Sequence, residues 1–239
     1  MRARASGCSF QGSRKYNEDT IFYEKTETGF LAAAADGLGG HGGGAEASDT
    51  AVRSFVRGFR ESPQITDENL RSLLEEANRA IRDRQTERQK MRTTFVALVC
   101  GEKEWAAVHV GDSRLYWFQD GFLRFRTLDH SVSQMAALAG EIGEEQIRFH
   151  EDRNKVLRAL GGTEMVRPDI MRREGSPAGS AFLLCTDGFW ENIWEDEMLA
   201  DLLKSSTPKT WLSYMLARIG RRMDEKSDNL SAVAVFIPE

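Results

Sequence analysis

Two hydrophobic periodicities alternate along this chain, and their order decides which folds it can adopt. Residues 20–25 (TIFYEK) and 30–35 (FLAAAA) read as strands joined by the polar turn TETG. From Ala45 the period changes: Val52, Phe55, Val56 and Phe59 recur at i, i+3, i+4 and i+7, as on an amphipathic helix. A break at SPQ (62–64) precedes a second helix, capped by Thr66 or Asp67 and striped by Leu70, Leu73, Leu74, Ala77 and Ile81. Its continuation RDRQTERQKMR (82–92) is polar all round and reads as a solvated helix end. Strands return at 93–100, 105–110, 114–118 and 122–126, the last two joined by the turn signal Asp120-Gly121. Residues 131–160 read as helical with breaks at Gly140 and Gly143; 181–185 is a strand, 198–203 and 211–219 are helices, and 230–237 is a closing strand. Strand pair, helix pair, then strands again is not the βαβα alternation of a parallel sheet. It predicts an α+β fold of antiparallel sheets covered by helices. No linker or repeat divides the sequence, so 1–239 reads as a single domain.

With 239 residues the chain can bury a large core, and its net charge of -5 offers no field for nucleic acid or an anionic membrane. No apolar run nears the roughly 18 residues of a membrane span. The N-terminus MRARASGCSF has no apolar stretch behind its arginines, so no secretory leader is expected. Cys8, Cys100 and Cys185 are odd in number and widely spaced, as reduced thiols in cytosol would be. A cytoplasmic protein, a monomer without nucleic-acid or membrane partners, is the expectation.

Asp-Gly occurs at 36–37, 120–121 and 187–188. The middle one fits a hairpin turn, whereas the other two follow apolar runs with no return strand behind them. Glu18 and Asp19 lie beside the first strand, Asp112 follows WAAVHV, and Asp228 precedes the last strand. Five segments remote in sequence thus carry acids at strand ends. If packed sheets bring those ends together, like charges repel unless cations fill the space between them. Ligands that are all oxygen select hard ions such as Mg²⁺ or Mn²⁺, and the four histidines show no zinc-binding spacing.

The residues themselves carry a resemblance. RKYNED (14–19), DGLGGHGGGAEAS (36–48), TTFVALV (93–99), VGDSRLY (110–116), LDHS (128–131), VLRALG (156–161), LLCTDGFW (183–190) and SDNLSAVAV (227–235) resemble, in order and across the whole chain, the successive motifs of the metal-dependent protein phosphatases. These are the PPM or type 2C Ser/Thr phosphatases, here in compact bacterial form. The resemblance implies a four-layer αββα sandwich with two Mn²⁺ or Mg²⁺ ions at one edge. It implies that Asp36 bridges the ions, that Asp187 and Asp228 hold the first, and that Glu18 with the Gly37 carbonyl holds the second. Asp19 would act through waters, Asp112 with Asp187 would offer a third and weaker ion site, and Arg14 would clamp the substrate phosphate. The reaction implied is hydrolysis of phosphoserine or phosphothreonine proteins by direct attack of a water shared between the ions. An opposing Ser/Thr kinase and its targets are the partners implied.

Several positions depart from the family pattern. Leu38 replaces the histidine that many relatives carry after Asp-Gly, as an apolar residue does in bacterial members, leaving the leaving group to be protonated by water. His41 either reaches the site or structures its loop. Arg92 stands where the family usually has glycine before Thr-Thr, and Ser180 where it has an acid. Residues 132–153 correspond to a variable flap beside the active site.

Three rival readings exist. GLGGHG (37–42) matches a dinucleotide fingerprint, but Asp36 would oppose a pyrophosphate and a second helix follows where a strand is needed. CSFQGSR, Cys8 to Arg14, matches the Cys-x5-Arg phosphate loop of cysteine-dependent phosphatases, yet a strand rather than a helix follows it. A pseudophosphatase that binds phosphoproteins without hydrolysis should have lost ligands, whereas every acid is kept here.

Overall fold

The computed structural model describes residues 2–27, 29–39, 43–87 and 89–239. In chain order the elements are β1 (Arg4–Phe10), β2 (Asp19–Lys25), β3 (Phe30–Leu38), α1 (Gly43–Glu61), α2 (Asp67–Arg82), β4 (Arg92–Thr93), β5 (Phe95–Cys100), β6 (Glu104–Val110), β7 (Arg114–Gln119) and β8 (Phe122–Arg126). There follow α3 (Val132–Leu138), a 3₁₀ turn (Glu144–Phe149), β9 (Asp169–Glu174), β10 (Ser180–Cys185), α4 (Asp187–Trp190), α5 (Glu195–Leu203), α6 (Pro208–Ile219) and β11 (Leu230–Ile237). One sheet runs β1-β11-β10-β7-β8; the other runs β2-β3-β5-β6-β9, with β4 added to β3. Their pairings are antiparallel.

Three apolar layers glue four structural ones. Successive side chains of a strand point to opposite faces, and β3 shows the consequence. Phe30, Ala32 and Ala34 join Val96 and Leu98 in packing against Phe182, Leu184, Val233 and Val235 of the other sheet. Leu31, Ala33 and Ala35 face the helix side, against Phe55, Leu70 and Leu74. On the far side of the first sheet, Phe118, Leu183, Cys185 and Ala232 pack under Trp211, Met215 and Ile219 of α6. A strand buried on both faces must be apolar throughout, which is why FLAAAA does not alternate. The expected αββα sandwich is the observed one.

The Asp120-Gly121 turn is as read, both residues having positive φ (54° and 76°). Thr66 is the α2 cap, its hydroxyl accepting from the Asn69 N–H at 3.2 Å. Other details differ. Residues 83–87 and 89–91 do not prolong α2, because they carry no apolar stripe for a helix to bury. The chain turns back instead, and the Gln85 side-chain amide donates to the carbonyls of Met91 (2.8 Å) and Gly161 (2.7 Å). Between 131 and 160 only α3 and the 3₁₀ turn are helical; Gly140 at φ +75° ends the first turns, and Val156 and Leu160 bridge to Ser131 and Thr93. Strands β1 and β9 are additions to the reading, both half-exposed sheet edges of mixed polarity. No helix among the described residues is long and apolar enough to cross a membrane.

Candidate active site

The sandwich brings the scattered acids to one edge. Arg14, Glu18, Asp36, Gly37, Asp112, Asp187 and Asp228 line a single cleft of 410 Å³. Asp36 lies in β3 directly across from Asp19 at the start of β2. Asp112 sits on the crossing from β6 in one sheet to β7 in the other; Asp187 opens α4 just past β10, and Asp228 precedes β11. Both sheets therefore contribute.

Each acid is fixed through its backbone. The Asp36 carbonyl accepts from the Thr94 N–H (2.9 Å) and the Thr93 hydroxyl (2.8 Å), while its own N–H donates to the Thr94 hydroxyl (2.9 Å). Asn229 ties the 11–18 loop to β11: its amide donates to Gln11 O (2.7 Å) and Tyr16 O (2.9 Å), and its Oδ1 accepts from Glu18 N–H (2.8 Å). Gly37 and Gly44 pass so closely that a Cβ on Gly37 would meet Gly44 O at 2.2 Å and one on Gly44 would meet Gly37 O at 2.5 Å. Only glycine fits there, which lets the α1 N-terminus present Gly44 and Ala45 N–H groups to the Glu18 carboxylate.

The electrostatics are strained. Burial raises Asp36 and Asp187 well above the carboxylate range, and neighbouring acids, Asp187 and Asp112 foremost, push the same way. Burial likewise lifts Asp19 to about 6 and Asp112 to about 7. Asp19 Oδ2 accepts from the Thr186 hydroxyl at 2.9 Å, but Asp19 Oδ1 and Asp112 Oδ1 are buried without a partner. Such oxygens are costly unless something positive faces them. Among the described residues, the cation paired with these acids is Arg14, half-exposed, with Nη2 2.5 Å from Asp228 Oδ2.

The donors are carboxylates and a carbonyl, which suits a hard divalent ion and not zinc. Among the described residues the only three side chains whose ligand atoms come within 4.8 Å of one another are His109, His130 and Asp169, at another edge. Three of their four ring nitrogens are already committed. His109 Nε2 bonds Leu128 O (2.8 Å), His130 Nδ1 accepts from Gly111 N–H (3.1 Å), and Arg158 stands 3.2 Å from both His130 Nε2 and Asp169 Oδ1. That trio is a hydrogen-bonded latch.

All eight sequence-selected residues lie at or just behind the cleft; Asp19 is the one behind it. His41 falls outside the described residues, as do Gly40 and Gly42 of the fingerprint GLGGHG. Cys8 lies mid-strand in β1, opposite Ala232, with its thiol pushed up to about 11 by burial, so it is no thiolate nucleophile. Sequence reading missed Trp190, whose ring lies 3.4 Å from the Arg114 guanidinium and whose Nε1 donates to Asp112 O at 2.9 Å. Arg114 in turn is buried and paired with Asp129 (2.7 Å). Position next to TDG in TDGFW was the one available hint.

The protein phosphatase 2C family model matches residues 7–229. This chain belongs to the protein phosphatase 2C family. The serine/threonine phosphatase stp of Listeria welshimeri is 34% identical over 201 residues, covering 80% of this chain and 79% of that protein. The crystal structure of the Mycobacterium tuberculosis serine/threonine phosphatase PstP/Ppp superposes with a TM-score of 0.86 at 28% identity, over 99% of each chain. The PstP catalytic domain solved in complex with two manganese ions gives a TM-score of 0.84 at 27% identity, again over 99% of each chain.

Proposed function

We propose that this chain is a metal-dependent protein serine/threonine phosphatase. One observation carries the reading: acids from both sheets converge at or just behind one cleft, and two of them, Asp112 and Asp19, have a buried carboxylate oxygen with no partner among the described residues. In this reading Asp36, Asp187 and Asp228 would hold one Mn²⁺ or Mg²⁺ ion, and Asp36 and Glu18 with the Gly37 carbonyl would hold a second. Asp19 orients the coordination from behind, through water. Asp112 and Asp187 would hold a third, weaker ion, which would face the partnerless Asp112 Oδ1. When bound, such ions supply an acidified water and neutralise charge on the phosphoryl group.

The chain's own residues do the positioning. Arg14 exchanges Asp228 for the substrate phosphate, since a half-exposed guanidinium can swing and phosphate offers it a bidentate partner. Leu38 provides no proton, so the leaving alkoxide takes one from solvent. Residues 132–153 are the substrate-facing flap: Arg148 anchors them by donating to Trp190 O and Ile193 O, and the chain then enters the cleft wall at Asn154. Substrates are phosphoserine and phosphothreonine proteins, set against an opposing kinase, and the enzyme works as a cytoplasmic monomer.

The test is turnover of p-nitrophenyl phosphate and of phosphoserine, phosphothreonine and phosphotyrosine peptides, with Mn²⁺ and with EDTA. Hydrolysis with Mn²⁺ that EDTA abolishes and iodoacetamide leaves intact is expected. Binding of phosphopeptides without turnover at any Mn²⁺ concentration would instead establish a pseudophosphatase.

A further inference from the structure

A second cleft, of 480 Å³, opens beside the catalytic one, and Val156 belongs to the walls of both. Arg92, Arg158 and Arg167 line it together with Leu157 and Met165, and no acid does. In a chain of net charge -5 such a lining is a local reversal of sign.

The three arginines are not equivalent. Arg158 Nη1 is engaged by Asp169 Oδ1 (3.2 Å) and the Arg167 carbonyl (3.4 Å), so it braces the wall. Arg92 and Arg167 are exposed, and neither has an ion pair among the described residues. Arg92 is also well placed. It lies in β4 directly opposite Leu38 of β3, and Leu38 lines the catalytic cleft. Its own strand is pinned, since Thr93 pairs with Leu160 through N–H to carbonyl bonds of 3.1 and 2.9 Å. The guanidinium therefore projects from a fixed base at the border of the two clefts. Leu157 and Met165, both well exposed, give the same cleft apolar surface for a peptide to cover.

Two unpaired guanidinia on one concave wall make a binding site for an anion, and guanidinium favours oxyanions that accept two parallel hydrogen bonds. We propose that this cleft binds a second anionic side chain of the substrate, a carboxylate or a phosphate, flanking the phosphoresidue being hydrolysed. The inference rests on the phosphatase reading above. It makes Arg92 and Arg167 determinants of which phosphoproteins are preferred, without any part in the hydrolysis.

The experiment compares wild type with Arg92→Gln, Arg167→Gln and the double variant in Mn²⁺. Substrates are p-nitrophenyl phosphate and phosphothreonine peptides with alanine, glutamate or phosphoserine walked along both flanks. Wild type should favour at least one anionic placement over alanine by about fivefold in kcat/KM, mainly through KM, as for a rim charge pair. The double variant should lose that preference yet handle p-nitrophenyl phosphate and the alanine peptides like wild type. A preference for phosphoserine alone identifies the anion as phosphate; one shared with glutamate identifies any oxyanion. Absence of a preference in wild type, its survival in the double variant, or an equal loss on every substrate would overturn the inference. No wild-type turnover of p-nitrophenyl phosphate would instead sink the phosphatase reading, and the inference with it.

Discussion

Asp187 and Arg14 both border the same cleft, but they should fail differently when replaced. Asp187 is buried among acids and held in place by its own helix, with Gly188 N–H donating to Oδ1 at 2.6 Å. Asp187→Asn preserves shape while removing a charge that cations need. Activity should fall by about 10³-fold or more, as for loss of a group acting mainly in the transition state. Metal-free stability should rise, because the amide ends a like-charge repulsion; differential scanning calorimetry in EDTA reads this. Near-normal turnover would remove Asp187 from the site. Arg14→Ala takes away a solvent-accessible clamp and leaves the acids untouched, so KM should rise by about tenfold with a smaller change in kcat. Steady-state kinetics on a phosphothreonine peptide separate the two patterns, and a kcat loss as large as that of Asp187→Asn would assign Arg14 a different part.

At the scale of elements, the crossing of β3 and α1 holds the site, and glycines set the gap. Gly44→Ala would bring a Cβ to 2.5 Å from Gly37 O and 2.8 Å from Glu18 Cδ, displacing two groups assigned to one ion. The Mn²⁺ concentration for half-maximal activity should rise, with a stability loss of about 1–3 kcal/mol from overpacking. Gly58→Ala is the control. Its Cβ would meet Leu73 Cδ2 at 2.5 Å on the α1–α2 face, away from the cleft, so stability should fall while the Mn²⁺ requirement stays put. The same elements show what can be read from sequence. Strands β3, β5, β10 and β11 are buried on both faces, and continuous apolar runs announce them. Strand β1 escapes notice because its pairing to β11 joins Arg4 to Phe236, and nothing local in RASGCSF demands it. Residues 131–160 read as helical with breaks at Gly140 and Gly143, yet Leu160 at their end is claimed by Thr93, a partner remote in sequence. The acids were legible because charge beside an apolar run is locally odd. Trp190 and Asn229 were not, since their work is to join segments that only the fold brings together.

Considered as one body, the molecule sets the ends of two sheets against each other with acids on both. Glu18, Asp19 and Asp36 belong to the β2–β3 edge of one sheet, Asp187 and Asp228 flank the ends of β10 and β11 of the other, and Asp112 lies on the crossing between them. Cations bound there would staple the sheets together, so metal should couple to global stability and to pH. The sign follows from the raised carboxyls. Asp19 and Asp112 go from 3.8 to about 6 and about 7 on folding, and Asp36 and Asp187 rise well above 3.8. Between about pH 4 and 7 the metal-free native state thus holds more protons than the unfolded chain, and its stability falls as pH rises through that window. His109 and His130, the latter lowered to about 4, act in the opposite direction below pH 6.5. They lie outside the cleft, so their share is common to metal-free and metal-loaded protein and cancels in the difference. Mn²⁺ must displace the protons it replaces, so the rise in Tm that it produces should grow from pH 5 to pH 8. Thermal melts at matched pH, with EDTA and with Mn²⁺, measure that difference directly. An increment independent of pH would mean that these carboxyls are already ionised without metal, and that repulsion between the two sheet ends is not what the ions relieve.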